Sequence, residues 1–459
     1  MKTYFFSKKQ SFPMRMMALG FAAVIAAGTI LLRMPFANAP GSVLSWIDAL
    51  FTATSATCVT GLTVVNISEQ LSTAGQIIVL SMIQLGGLGI TTLSTFMLIL
   101  AGKRLSMQNE FSMMDAYGLK KVEGVKPLIL WTIGMTLAME MLCALSLLNC
   151  YLHPLSGEAY PLGKALYYSA FHAVNAFCHA GFSLHSDSLV SYQGDWRFLR
   201  TMDAVIFVSS FGFIVLYNLL TVKWWKRNRM ERGKLTLHTK IALTTTVVIT
   251  LFSLLAFTVL EWNSAFADMD VTQKLSCGLF MSITPRTAGF NIVPADSLTE
   301  GSRVLSMLTM FIGGSPSSPS GGIKTTTAAV LLMTVIALCR NSGETVIAKK
   351  TVPGHLVREA IVIFVMMGSL IFLFYFLLVC VEAPMQQDSS SRLLFETISA
   401  AATTGISMDM TPRLSDVGRI LISICMYVGR LGPITVVMAM SSRPEGSRIC
   451  YPEEDVVVG

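Results

Sequence analysis

Residues 50–64 read LFTATSATCVTGLTV. The same kind of phrase returns as AFHAVNAFCHAGFSL at 170–184, LFMSITPRTAGFNI at 279–292 and LFETISAAATTGISM at 394–408. Each has a Phe in second place (Phe51, Phe171, Phe280, Phe395) and closes on small residues and a glycine (Gly61, Gly181, Gly289, Gly405). By subtraction the glycines stand 120, 108 and 116 residues apart. Each phrase is too short to cross a bilayer and is wedged between two long apolar segments. A long-period repeat of apolar segment, re-entrant segment and apolar segment is a membrane architecture. The expected fold class is therefore an all-α polytopic membrane protein, with four helix–pore helix–helix repeats around one central pore. Four glycines on one ring is the arrangement of an ion selectivity filter.

Composition outside the phrases points the same way. Hydrophobic residues make up 53% of the chain and charged residues 13%, against about 25% charged in soluble domains. Mean hydropathy is +0.61. Eight crossings are expected, at roughly 14–34, 75–101, 127–151, 199–222, 239–261, 303–339, 356–381 and 417–440, of which the sixth is too long for one simple span. The whole chain, 1–459, reads as one ion-transport domain. Its repeats cover about 14–101, 127–222, 239–339 and 356–440, followed by a tail at 441–459.

Basic residues set the orientation. Lys2, Lys8, Lys9, Arg15, Lys103, Arg104, Lys120, Lys121, Lys126, Lys223, Lys226, Arg227, Arg229, Arg232 and Lys234 lie before the first crossing or after even-numbered ones. So do Lys240, Arg340, Lys349, Lys350, Arg358, Arg443 and Arg448, making 22 of the 34 Lys and Arg residues. The positive-inside rule predicts a multi-pass protein of the cell (plasma) membrane with both termini cytoplasmic and the four phrases at the outer face. The net charge of +7 is a by-product of that topology and gives no reason to expect nucleic-acid binding. Lys8, Lys9 and Ala37-Asn38-Ala39 imitate a secretory signal, but the apolar run 16–32 exceeds the usual ~7–15 residues. Its removal would also strip the first phrase of its leading helix, so the segment is expected to be retained. The nine cysteines form no C-x-x-C pair, and neither a disulfide framework nor a zinc site is expected.

A potassium ion gives up its water only where other oxygens replace it, and backbone carbonyls suit that task. Aiming successive carbonyls at one axis needs backbone conformations that Gly permits. The triplets Val59-Thr60-Gly61, His179-Ala180-Gly181, Thr287-Ala288-Gly289 and Thr403-Thr404-Gly405 are the candidate ion-binding residues. Their side chains differ, so the backbone must carry the coordination. The runs at about 46–57, 165–177, 271–283 and 391–402 read as pore helices whose partial negative C-termini favour a cation. His172, Cys178, His179 and His185 resemble a metal cluster, but only one phrase carries them, so the only metal expected is potassium at the filter. QLGGLGITT (84–92) imitates a dinucleotide-binding signature without a preceding strand. Close helix packing at Gly86, Gly87 and Gly89 is the better account.

The sixth crossing is interrupted by GGSPSSPSGGIKTTT, Gly313–Thr327. Its flanks, Val304–Ile312 and Ala328–Cys339, are each too short to span alone. Proline and glycine at this density break a helix. Irregular backbone at membrane depth survives only against protein or a water-filled cavity. The insert is therefore expected beneath the filter as a gate, formed by Gly313, Gly314, Ser315, Pro316, Ser317, Ser318, Pro319, Ser320, Gly321, Gly322 and Lys324. Arg430 lies within the last apolar span, ICMYVGRLGPITVVMAM, where burial of a charge is costly. It is expected to face the interior as a barrier to cations.

Together the four phrases, QLGGLG, GGSPSSPSGGIKTTT, GRLGPIT and the ending YPEEDVVVG resemble the Trk/Ktr/HKT superfamily of potassium transporters. The short stretch before the first phrase resembles the Ktr-type membrane subunit. The resemblance covers nearly the whole chain. It implies potassium uptake, often sodium-coupled in the Ktr branch, through one pore per subunit of a homodimer. It also implies a cytosolic nucleotide-binding regulatory ring as partner, with the nucleotide on that ring and no covalently bound cofactor on this chain. Gly61, Gly181, Gly289 and Gly405 match the family's filter glycines, Gly313–Thr327 its intramembrane gating loop, and Arg430 its inner-pore arginine. His179 stands where Asn is expected and Ser183 where Asp is common. Pro316 and Pro319 are expected to stiffen the loop. The basic inner loops, especially Lys223 to Lys240, offer a docking face for the ring, and anionic lipid is the competing partner.

Other functions fit less well. A sodium or non-selective cation transporter could use the same scaffold and differs only in ion dependence. An intramembrane enzyme with a nucleophile among Ser315–Ser320 needs a positioned base, and no His lies in the adjacent apolar spans. A receptor or scaffold leaves four pore-like phrases unexplained.

Overall fold

The computed structural model describes residues 8–89, 92, 125–155, 158–222, 235–294, 297–382, 390–432 and 435. The far ends of the second and eighth expected crossings and the 441–459 tail lie outside the described residues. So do Lys2, Lys103, Arg104, Lys120, Lys121, Arg443, Arg448, Cys450 and the basic run from Lys223 to Lys234.

Among the described residues four helices are long and apolar enough to cross a membrane: Arg15–Arg33, Ile129–Leu152, Leu237–Glu261 and Gly354–Glu382. Their large aliphatic and aromatic side chains, such as Leu251, Phe252, Phe372 and Phe376, are exposed around the outside, as lipid contact requires. Inside them stand four short helices: Trp46–Thr57, Leu162–Cys178, Val271–Ile283 and Ser390–Ala401. Ser45 caps the first by accepting from the Asp48 N–H, and Asp270 with Gln273 forms a capping box on the third. Phe51, Phe171, Phe280 and Phe395 are all fully buried, each anchoring its short helix in the core.

A further helix follows each short one. Thr73–Leu88, Trp196–Ser209, Glu300–Phe311 and Asp416–Leu431 open on Ser72, Asp195, Thr299 and Ser415, whose side chains accept from first-turn N–H groups. Glu261, at the end of one long helix, accepts from Thr299 N and Oγ1 at 2.9 and 2.8 Å. Glu382 likewise accepts from Ser415 N and Oγ at 3.0 and 2.6 Å. Each of these buried carboxylates thus fixes where the next inner helix begins.

The inner helices pack around a circle. Thr73–Leu88 touches Leu162–Cys178, Trp196–Ser209 touches Val271–Ile283, Glu300–Phe311 touches Ser390–Ala401, and Asp416–Leu431 returns to Trp46–Thr57. An ion pair at the last junction, Arg419 Nη1 to Asp48 Oδ1 at 2.7 Å, ties the end of the circle to its start. Glycine lets these helices approach closely. A Cβ on Gly86 would lie 1.9 Å from the Thr57 carbonyl oxygen, and one on Gly429 would lie 2.1 Å from that of Ala401.

The fourth apolar segment differs from the unbroken 199–222 span expected. It bends by 90° between Trp196–Ser209 and Phe213–Thr221. The break is at Gly212, with φ +81 and ψ 152. Two other inner helices stop at equivalent glycines, Gly89 (φ +80) and Gly432 (φ +82). Gly89 is therefore a helix terminus rather than a packing residue, and only Gly86 and Gly87 pack as expected. The sixth segment breaks as expected, but its second helix, Thr325–Cys339, starts earlier than Ala328. Thr325 N donates to the Gly314 carbonyl and its hydroxyl pairs with Ser315 Oγ at 3.0 Å. Those bonds draw Thr325, Thr326 and Thr327 out of the loop and into the helix.

Candidate functional site

The four glycines meet. A Cβ placed on Gly61 would lie 2.4 Å from Ala180 O, and one on Gly181 would lie 3.0 Å from Gly289 Cα. One on Gly289 would lie 2.3 Å from Thr404 O, and one on Gly405 would lie 2.0 Å from Thr60 O. The chain of contacts closes on itself. Every glycine has positive φ: +96, +69, +81 and +93. The residues two positions earlier, Val59, His179, Thr287 and Thr403, also have positive φ. Such conformations are costly for residues with a Cβ, and here they recur at four equivalent positions. Each ring position therefore brings one carbonyl oxygen, from Thr60, Ala180, Ala288 or Thr404, against a neighbouring strand.

Each strand is tethered to its own short helix. Thr60, Ala180 and Thr404 donate their N–H groups to the carbonyls of Ser55, Asn175 and Ser399 at 2.8, 2.9 and 2.8 Å. In the third strand Ala288 donates to Thr284 O at 2.9 Å. The Gly61 and Gly405 N–H groups donate to Ser55 Oγ and Ser399 Oγ at 3.1 and 3.0 Å. With these N–H groups bonded back to the short helices, it is the strand carbonyls that meet the neighbouring strands. Glu396, fully buried in the fourth short helix, accepts from Ser407 Oγ, Met408 N and Thr411 Oγ1 and holds the outgoing chain.

The loop from Gly313 packs against the third and fourth of these strands. A Cβ on Gly321 would lie 2.1 Å from Thr403 Oγ1 and 2.2 Å from Ala402 O, and Gly321 N donates to Thr287 Oγ1 at 3.2 Å. Its neck is closed by Gly313 N to Ile323 O and Ile323 N to Phe311 O at 3.0 and 2.9 Å. Its tip packs into the Gly212 bend, with Ser315 N donating to Ser210 O and Phe213 N to Ser317 O. Arg286 Nη2 donates to Gly313 O at 3.1 Å. Lys324 Nζ donates to Ser320 O. Arg430 is half-buried and bridges two elements, donating to Pro319 O and, at 2.7 Å, to Gly86 O. It thereby clamps the loop to the Thr73–Leu88 helix.

Some residues that contact the loop were not singled out from the sequence. Arg286 and Gly212 both hold the loop. The signal for the helix breaks was a bulky apolar residue followed by Gly, in Leu88-Gly89, Phe211-Gly212 and Leu431-Gly432, late in an apolar run. The histidines separate. His172 and His185 share Tyr151 OH at 3.1 and 3.3 Å, and Ser183 Oγ pairs with His172 Nε2 at 3.1 Å. His179 points elsewhere, to Ser209 and Ser320. Among the described residues no group of His, Cys, Asp and Glu is arranged to hold a metal. A His does reach the loop serines, contrary to the expectation from the adjacent spans. Its Nε2 is directed at a carbonyl and a hydroxyl rather than a carboxylate, so no catalytic triad forms.

A family model described as a cation transport protein, TrkH, matches residues 5–449. The chain belongs to this family. The Ktr system potassium uptake protein B of Bacillus subtilis is 35% identical over 449 residues, covering 97% of both chains. The potassium/sodium uptake protein NtpJ of Enterococcus hirae is 32% identical, covering 98% of both. A crystal structure of the potassium transporter TrkH from Vibrio parahaemolyticus superposes with a TM-score of 0.72 at 18% identity, covering 96% of this chain and 86% of that one. That likeness speaks to the fold. The family is one of membrane transporters, which accounts for the apolar outer helices and removes the enzyme reading.

Proposed function

We propose that this chain is the ion-conducting subunit of a Ktr-type potassium uptake system. Its filter is formed by the backbone carbonyls of Val59-Thr60-Gly61, His179-Ala180-Gly181, Thr287-Ala288-Gly289 and Thr403-Thr404-Gly405. The observation that carries the reading is the closed ring of four positive-φ glycines, each against a neighbour's carbonyl. Carbonyl rings replace potassium's hydration shell, and the short helices direct partial negative charge toward the ring. The names of the Bacillus and Enterococcus relatives support potassium, or potassium with sodium, as the transported ion.

In this reading the chain is one transport domain of eight crossings in four repeats, at about 14–101, 127–222, 239–339 and 356–440. Both termini are cytoplasmic, following the distribution of Lys and Arg. The loop Gly313–Lys324 is the gate beneath the filter, with Arg430 as clamp and electrostatic barrier. The chain pairs as a homodimer and docks on a cytosolic ring that carries the nucleotide.

Expression in a cell lacking its own potassium uptake tests the reading. Growth at low potassium is expected, and its dependence on added sodium reports coupling. Uptake of sodium with equal preference would replace it by a non-selective cation transporter. No ion uptake from a membrane-inserted protein would overturn it.

A further inference from the structure

His179 is the one filter residue whose side chain reaches both the broken inner helix and the loop. Its Nε2 lies 3.1 Å from Ile206 O and 2.7 Å from Ser209 Oγ. Its Nδ1 lies 3.1 Å from Ser320 Oγ. The carbonyl of Ile206 can only accept, so Nε2 carries the proton. Ser209 directs its own hydroxyl hydrogen to Val205 O or Ile206 O, at 2.9 and 3.1 Å, and therefore accepts from Nε2. That leaves Nδ1 as an acceptor, satisfied by the Ser320 hydroxyl. The imidazole is 1% exposed and Ser320 is 2% exposed, so no water replaces either partner without movement.

The equivalent residues on the other strands behave differently. Val59 is apolar, and its side chain packs against Gly86. Thr287 and Thr403 meet the loop only through Gly321. His179 alone spans from filter strand to loop through a side-chain pair. It holds φ +61 at the same time, a left-handed conformation that is strained for a non-Gly residue and persists only where its surroundings fix it. Ser209 fixes the ring on one side and Ser320 takes it on the other.

We propose that His179 is a positioning residue that couples the filter to the gate. The Nε2 side locks the second filter strand onto the 196–209 helix. The Nδ1 side latches the loop closed through Ser320, and this bond must break before the loop moves. The proposal rests on the gating role of the loop. It predicts that the two sides separate in function, the Ser320 side setting rate and the Ser209 side setting selectivity. A residue that merely fills space would not split these two quantities.

The test uses the full chain reconstituted in vesicles, with potassium flux and the potassium-to-sodium permeability ratio measured on each variant. Ser320→Ala is expected to raise flux about fivefold, the population change that one net hydrogen bond supports, with the ratio unchanged. Ser209→Ala is expected to lower the ratio with little rise in flux. His179→Asn should do both, and adding Ser320→Ala to it should raise flux no further. A Ser317–Ser320 deletion reads the gate itself. If the deletion raises flux and Ser320→Ala does not, the latch is overturned and the gate stands. If the deletion also fails to raise flux, the gating role falls and the latch with it. Should His179→Asn fail to fold, Ser320→Ala and Ser209→Ala decide the matter alone.

Discussion

At Gly405 one added carbon would sit 2.0 Å from the Thr60 carbonyl oxygen, at Gly289 2.3 Å from Thr404 O, and at Gly61 2.4 Å from Ala180 O. At Gly181 the nearest atom is 3.0 Å away. Contacts below 3.0 Å force something to shift, and the atoms that must shift in the first three are the ring's own carbonyls. A side chain at positive φ adds strain of ~1–2 kcal/mol. Gly→Ser at each position is therefore expected to weaken potassium preference over sodium, by about tenfold where a carbonyl is displaced. The expected order of damage is Gly405, Gly289, Gly61, then Gly181. Permeability ratios of the four single variants check it. Unchanged ratios in all four would remove the filter assignment, and equal damage at Gly181 would remove the steric explanation.

At the scale of the element, the loop is not slack. Its neck is closed by two backbone bonds, its tip is seated in the Gly212 bend, and Arg286, Arg430 and His179 hold its length. If the loop is the proposed gate, its Gly-rich backbone permits a second conformation, and these contacts favour the one seen. Arg430→Ala removes two charge-assisted hydrogen bonds, and with them a positive charge on the proposed ion path. Both losses favour conduction, so flux should rise. Charge-assisted bonds contribute about 1.5–3 kcal/mol each in net terms, so the rise should exceed that of Ser320→Ala. Combining Arg430→Ala with the loop deletion should not add, because both act on one obstruction. Reduced flux from a folded, inserted loop deletion would refute the gate.

At the scale of the whole molecule, the circle of inner helices is closed by Arg419 and Asp48, from opposite ends of the chain. Both side chains are 19% exposed, which places the pair above an ordinary surface ion pair in strength. A double-mutant cycle on Asp48→Asn and Arg419→Gln, read by thermal unfolding in detergent, should show coupling of about 1 kcal/mol. Zero coupling would mean that packing alone closes the circle. Orientation is checked separately by a membrane-impermeant thiol reagent on a cysteine-free background. A Ser186→Cys label is expected from outside and an Asn341→Cys label from inside. Regulated flux from this chain alone, with no second protein, would count against the nucleotide-binding ring.

The short helices were legible because burial dictates their pattern. The run 271–283 was expected and Val271–Ile283 is found, and 46–57 matches Trp46–Thr57. The fully buried Phe of each phrase, the small residues and the glycine all follow from packing four strands around one axis. The break in the sixth segment was legible too, since two prolines and four glycines cannot continue a helix. The break at Gly212 was hidden, because an apolar run reads alike whether straight or bent by 90°. Hidden as well were the partners of Arg430, Arg286 and His179, which lie 344, 27 and 141 residues away in sequence at Gly86, Gly313 and Ser320. The sequence by itself determined the membrane class, the fourfold phrase and the glycines, because local backbone geometry and hydrophobicity depend on near neighbours. Only the tertiary structure decided which side chains hold the loop, because such contacts depend on segments far apart in sequence closing on one another.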